Sequence, residues 1–160
     1  MRSVATVVIF AALGLAGTAS SPTAGSGPCT AAQTRSLAFA FARVWSRGDA
    51  TAVDRLVVSE PQFRWVSAGP PGERSGQAAY DRRSLGAFIL RRHRQHDRLA
   101  ITRFRFNGSD LRGTDGFGHF EFDAIRRSDD WPAGLAHARS GKGAIVCTLP
   151  RAVIAVWSLG

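Results

Sequence analysis

Residues 99–125 constrain the fold of this 160-residue chain more than any other stretch. Two runs of alternating apolar and polar residues flank a segment rich in Gly and Asp, which is typical of two long antiparallel strands joined by a turn. In the second run the apolar residues share one strand face and the titratable residues share the other. The two sets are Phe120, Phe122 and Ala124, and His119, Glu121 and Asp123.

The same alternation predicts how the two strands pair. With the turn centred near 111–112, three cross-strand pairs are expected: Arg103 with Glu121, Arg105 with His119, and Phe104 with Phe120. This register puts the phenylalanines on one side and opposite charges on the other. Leu99 and Ile101 have the opposite parity from Phe104, so we predict a bulge near Thr102.

The N-terminal segment reads as a secretory signal peptide. Arg2 precedes an uncharged apolar run at 4–16, and small residues follow at 17–20. The run is too short to span a membrane and no basic stop follows it, although an uncleaved anchor is the alternative. We therefore predict a signal peptide at 1–20, a flexible linker at 21–29 and one domain at 30–160, in a protein secreted to the cell envelope or beyond.

Two cysteines, Cys29 and Cys147, remain after cleavage. In an oxidising compartment an isolated pair most simply forms one disulfide, and closing so long a loop is worth about 4–5 kcal/mol in the chain-entropy model. A catalytic thiol is the alternative. No His lies at ligand spacing from either cysteine, so we expect no metal site there.

The formal net charge of +9 does not by itself indicate a nucleic-acid-binding protein. The basic residues are spread along the chain, and no nucleic-acid recognition motif is present. No zinc signature, phosphate loop, nucleophile elbow or haem motif occurs either, so no metal or cofactor is predicted.

The remaining elements follow from periodicity and caps. We predict helices at 31–47, 50–57 and 82–93, with Gly48, Asp49 and Asp81 as caps. Strands are predicted at 63–67, 78–80, 144–149 and 152–159. Residues 68–77 and 126–141 are expected to be loops, the second with a helical turn at 133–138 and with Trp131 as its anchor into the body.

This order of elements resembles the nuclear transport factor 2-like superfamily, also called SnoaL-like or ketosteroid-isomerase-like. The resemblance rests on FARVWSRGDATAVDRLVVSEPQFRWV near the start and GKGAIVCTLPRAVIAVWSL at the end. It implies an α+β fold, a cone-shaped curved antiparallel sheet wrapped by three helices from the N-terminal half. The interior of such a cone is a pocket, and the superfamily includes isomerases, cyclases, dehydratases, hydrolases and members without chemistry.

Three functions are open at this point. The first is binding of a small apolar ligand in an aromatic-lined pocket formed by Phe63, Trp65, Phe88, Phe104, Phe106, Phe120, Phe122 and Trp157. The second is an acid/base enzyme, an isomerase or dehydratase on a small cyclic substrate, with His119, Glu121, Asp123 and Tyr80 as candidates. His93 and His96 extend the buried face of the third helix, but a histidine at such a position more often caps the helix end. The third is a homodimerisation or partner-binding module that uses the outer sheet face.

Overall fold

The structure, a computed structural model, describes residues 29–59, 63–67, 76–110, 116–132, 135–147 and 151–160. The predicted signal peptide, and the predicted linker as far as residue 28, lie outside these residues. Among the residues that are described, no helix is both long enough and apolar enough to cross a membrane.

The three predicted helices are confirmed, and so are their caps. They are α1, Ala31–Arg47; α2, Val53–Leu56, which follows a 3-10 turn at Ala50–Ala52; and α3, Arg82–Arg94. Gly48 ends α1 with a φ of 70°, a left-handed conformation that glycine adopts at little cost. The Asp49 carboxylate accepts a hydrogen bond from the Ala52 N–H, and that of Asp81 accepts one from the Ser84 N–H at 2.6 Å.

In the described part of the chain, six strands form one sheet. They are β1, Arg64–Ser67; β2, Gly76–Ala79; β3, Arg98–Asp110; β4, Phe117–Arg127; β5, His137–Val146; and β6, Val153–Leu159. The strand order is β2-β1-β6-β5-β4-β3, and every neighbouring pair is antiparallel except β1 and β6, which are parallel. Helix α1 packs across one face of this sheet, so the predicted α+β class is confirmed. We call this face the inner face and the opposite one the outer face.

The prediction for β3 and β4 placed each side chain on the correct face of the sheet, but the predicted register was wrong. The actual pairs are Arg103 with Asp123, Arg105 with Glu121, Phe104 with Phe122, and Phe106 with Phe120. The predicted bulge between Ile101 and Arg103 is present, and a second irregularity lies between Phe106 and Gly108. The actual pairs are therefore centred further along the chain than predicted. A slip of two residues changes every partner but leaves each side chain on its own face.

The loop predicted at 126–141 was also wrong. Strand β4 continues to Arg127, and β5 already begins at His137. The polar and glycine-rich start of β5 has little strand propensity, but its glycines lie directly opposite the large rings of β4. Phe122 pairs with Gly141, and Phe120 pairs with Gly143, where a Cβ atom would lie 2.4 Å from the Phe120 ring. The rings thus lie flat over backbone that only glycine leaves open.

The disulfide between Cys29 and Cys147 is present, as predicted. It joins residues 118 apart in sequence, with a Cα–Cα distance of 5.4 Å. Both cysteines are buried, and they tie the start of α1 to the end of β5.

Candidate functional site

The predicted acid/base residues lie on the outer face, where solvent reaches them. His119 is exposed, and Glu121 accepts a hydrogen bond at 3.2 Å from Arg105, which is itself exposed. Asp123 is half-buried and accepts a hydrogen bond from the Ser140 hydroxyl at 3.1 Å. Tyr80 is 67% exposed and lies apart, just before α3. This placement gives the set no low-dielectric enclosure of the kind that tunes catalytic groups, so the enzyme alternative gains no support.

A groove of about 380 Å³ runs over this outer face. It is lined by Arg103, Arg105, Glu121, Phe122, Asp123, Ser140, Gly141, Lys142, Ser158 and Gly160. Two further grooves, of about 370 and 330 Å³, adjoin it and share some of its lining residues. Together they follow β3 to β6 across most of the outer face.

Charges of both signs alternate across the strands in this groove. Arg105, Glu121, Lys142 and Ser158 form one row of direct cross-strand neighbours on β3, β4, β5 and β6. The Arg105–Glu121 pair is exposed, so it contributes little to stability. In the part of the chain that is described, neither Arg103 nor Lys142 forms an ion pair.

The aromatic residues predicted to line a pocket belong, where the structure describes their side chains, to the core between the helices and the inner face. Trp157 is at the centre, with ring centroids 4.5 Å from Phe122, 4.7 Å from Phe41 on α1, and 5.8 Å from Phe120. Phe63, Phe88, Phe120, Phe122 and Trp157 are buried, whereas Phe104 and Phe106 are half-buried. The side chain of Trp65 lies outside the described part. These rings fill the space between α1 and the sheet, so the ligand pocket stays a prediction.

Sequence reasoning missed a buried cluster of charges at the end of β4. The Asp97 carboxylate, fully buried, accepts hydrogen bonds from Arg126 at 2.6 and 3.0 Å and from Arg92. Arg92 also donates to Asp130 at 2.7 Å. Burial opposes the charge of Arg92, but its hydrogen bonds to the two carboxylates outweigh this and raise its pKa above the ordinary value. Burial likewise opposes the charge of Asp130, and hydrogen bonds from Arg92 and Ser128 lower its pKa.

Two tryptophans sandwich Arg126. Its guanidinium carbon lies 5.0 Å from the Trp45 ring and 5.1 Å from the Trp131 ring, and Arg139 lies 5.4 Å from the same Trp131 ring. This alternation of ring and cation holds the segment after β4 against α1 and the inner face. Trp131 is buried, which confirms its predicted role as an anchor. The arginines were not predicted because 126–141 was taken for a loop.

Comparison with solved structures identifies the architecture. An ntf2-like protein from Novosphingobium aromaticivorans superposes with a TM-score of 0.56 at 12% identity, covering 80% of this chain and 79% of that one. An NTF-2 like protein of unknown function from Shewanella oneidensis gives a TM-score of 0.55 at 11% identity, covering 80% and 96%. The chain has the NTF2-like fold.

At these identities the likeness concerns the fold alone. The Orange Carotenoid Protein of Anabaena (Nostoc), in a structure binding canthaxanthin, also has a domain of this NTF2-like shape, with a TM-score of 0.56 at 13% identity. That match covers 83% of this chain and 40% of the carotenoid protein. No protein-family model and no curated protein matches the chain. In its described residues, no group of three or more His, Cys, Asp or Glu side chains is placed to hold a metal ion.

Proposed function

We propose that this NTF2-like protein is a binding domain that associates with a second copy of itself through the outer face of β3–β6. The observation that carries the proposal is the alternation of charge along the cross-strand rows of that face. A surface that meets its own copy about a twofold axis must be self-complementary. A face with one sign of charge would repel itself, whereas this face presents both signs.

The row of Glu121 and Lys142 suggests where the axis lies. The two residues are direct neighbours on β4 and β5. A twofold axis that runs parallel to the strands, midway between β4 and β5, places β4 of one protomer over β5 of its partner. Glu121 of each protomer then meets Lys142 of the other, and Asp123 meets Ser140. Contacts of this kind set the orientation and partner choice of an interface.

A charge-swap series measured by sedimentation velocity tests this arrangement. We expect the natural chain to be a dimer. Lys142→Glu puts like charges against each other at two symmetric places and should give a monomer. The double variant Glu121→Lys with Lys142→Glu restores both contacts and should regain the dimer. Thermal melting checks that each variant is folded, because the two residues are also neighbours within one chain.

Arg83→Glu is the matched control. It makes the same kind of charge reversal at an exposed position of α3, away from the outer face, and should leave the dimer intact. A natural chain that stays monomeric at the highest soluble concentration would refute the proposal. A double variant that stays monomeric while folded would refute the proposed axis.

A small apolar ligand is the second candidate, and one observation favours a particular place for it. Phe39, Phe104 and Phe106 stay half-buried where α1 crosses β3, with 6.4 Å between the ring centroids of Phe39 and Phe104. Titration with canthaxanthin, followed by thermal shift, is a reasonable first probe. A saturable rise in melting temperature that Phe104→Ala removes would support this site. The matched control is Leu90→Ala on exposed α3 surface, and no shift in the natural chain would contradict binding of this probe.

We also propose that the protein is exported and that residues 1–20 are removed. The Cys29–Cys147 disulfide supports this proposal, because such bonds form and persist in oxidising compartments. The N-terminal sequence of protein recovered from outside the cytoplasm should begin at about residue 21. Recovery of chain that starts at Met1, with two free thiols, would contradict it.

A further inference from the structure

Among the residues that the structure describes, three buried nitrogen atoms near Trp131 have no hydrogen-bond partner. They are Nε1 of Trp131, Nε2 of His137 and Nε of Arg139. The rings of Trp131 and His137 meet edge to face with centroids 4.6 Å apart, and the Arg139 guanidinium carbon lies 5.4 Å from the Trp131 ring. Leaving a polar group buried and unsatisfied costs about 1–3 kcal/mol. Three such atoms on side chains in mutual contact therefore point to a missing partner.

The chemistry of these atoms limits what that partner can be. An indole N–H and a guanidinium Nε–H can only donate, so the partner must supply acceptors. The His137 ring nitrogen donates as well in one neutral tautomer and in the charged form. Trp131 is only 3% exposed, whereas His137 and Arg139 are half-buried, so the group lies at the edge of the interior, close to solvent.

The charges around Trp131 further limit the chemical class of the missing partner. Two arginines, Arg92 and Arg126, are held by the two carboxylates of Asp97 and Asp130. Arg139 forms no ion pair with any residue that the structure describes. The charge of the Arg139 guanidinium is therefore not compensated by a described carboxylate, and it lies beside the unsatisfied nitrogens of Trp131 and His137. A carboxylate supplies both the acceptors and the compensating charge.

We propose that Trp131, His137 and Arg139 form a binding site for the carboxylate group of a small ligand. Arg139 and Trp131 donate to its two oxygens, and His137 adds a third donor. The side chains of this site belong to the inner side of β5 and to the segment after β4. The site is therefore separate from the outer face, and it does not depend on self-association.

Isothermal titration calorimetry with sodium benzoate tests the site, with benzamide as a neutral compound of the same shape. We expect saturable binding of benzoate that is at least about tenfold tighter than that of benzamide, as a charge-assisted hydrogen bond implies. Arg139→Gln removes the charge and should weaken benzoate binding about tenfold or more. Trp131→Phe keeps an aromatic ring at this position, removes the N–H and should weaken benzoate binding about threefold.

The matched control is Arg127→Gln, which removes the exposed arginine at the end of β4, on the face opposite to Arg126, and should leave benzoate binding unchanged. Equal binding of benzoate and benzamide, or an Arg139→Gln variant that binds as tightly as the control, would overturn the assignment. Absence of any saturable heat with benzoate would overturn it as well. If Arg139→Gln fails to fold, the Trp131→Phe variant decides.

Discussion

Replacing Asp97 by Leu tests whether the buried charge cluster stabilises the fold where α3, β3 and β4 meet. Asp97 is the carboxylate between Arg92 and Arg126, and all three side chains are buried. Removing one partner of a buried ion pair costs about 3–5 kcal/mol, because the remaining charge loses its compensation in a poorly solvating interior. That is a large share of the 5–15 kcal/mol by which a typical domain is stable. At roughly 3 °C per kcal/mol for a domain of this size, the melting temperature should fall by about 10–15 °C.

The assay is urea unfolding of the oxidised protein, followed by tryptophan fluorescence and circular dichroism so that two probes report the same transition. Asp54→Leu is the control. Its carboxylate is 75% exposed and lies 3.9 Å from Arg82, so its loss should change the free energy of unfolding by no more than about 0.5–1 kcal/mol.

A double variant separates the uncompensated charge from the simple loss of hydrogen bonds. Adding Arg126→Met to Asp97→Leu removes both ends of the pair, while Arg92 keeps Asp130 as its partner. Because the penalty comes from a guanidinium left without its carboxylate, the double variant should be more stable than the sum of the single losses predicts. A loss below about 1 kcal/mol for Asp97→Leu, or strictly additive effects, would refute this account of the cluster.

Three other predictions follow from particular contacts. Gly143→Ala should destabilise the fold by about 1–3 kcal/mol, because its Cβ would lie 2.5 Å from a backbone carbonyl oxygen. The control Gly86→Ala adds only an ordinary 3.6 Å contact on a helix and should stabilise the fold by up to about 1 kcal/mol. Reducing the disulfide should cost up to about 4–5 kcal/mol in urea unfolding, and a Cys29→Ala, Cys147→Ala variant as stable as the oxidised chain would contradict this. The pKa of Asp130 is lowered in the folded state, so its contribution is complete above the ordinary value of 3.8 and is lost as the pH falls through the folded pKa. The acid-unfolding curve of Asp130→Asn should therefore be flatter than that of the natural chain below pH 3.8, and curves that remain parallel would contradict it.

Local signals in the sequence were sufficient to predict the helices. The bounds of α1 were predicted because Gly48 marks its end and an apolar stripe runs along it, and α3 was predicted because Asp81 caps it. These are interactions between residues a few positions apart, so a linear pattern contains them. The bulge at Thr102 could be read from a change of parity for the same reason.

The start of β5 could not be predicted in this way. The sequence His137 to Gly143 has weak strand propensity, and its reason for being a strand lies in β4, where Phe120 and Phe122 need glycine opposite them. The register of β3 against β4 was predicted wrongly, because alternation gives the face of each side chain but not its partner on the neighbouring strand. The proposed carboxylate site was missed for a similar reason, since Trp131 and Arg139 become neighbours only once β5 is in place.

The sequence by itself determined the three helices with their caps, the pairing of two cysteines and the separation of the 99–125 hairpin into an aromatic and a charged face. Each of these depends on residue type and short spacing. Only the tertiary structure decided that α1 covers the aromatic face and that rings from both pack against Trp157. It also decided that Asp97 joins Arg92 to Arg126. Such contacts form between segments that are far apart in the sequence. Burial in a shared interior selects them, and a local pattern does not contain that information.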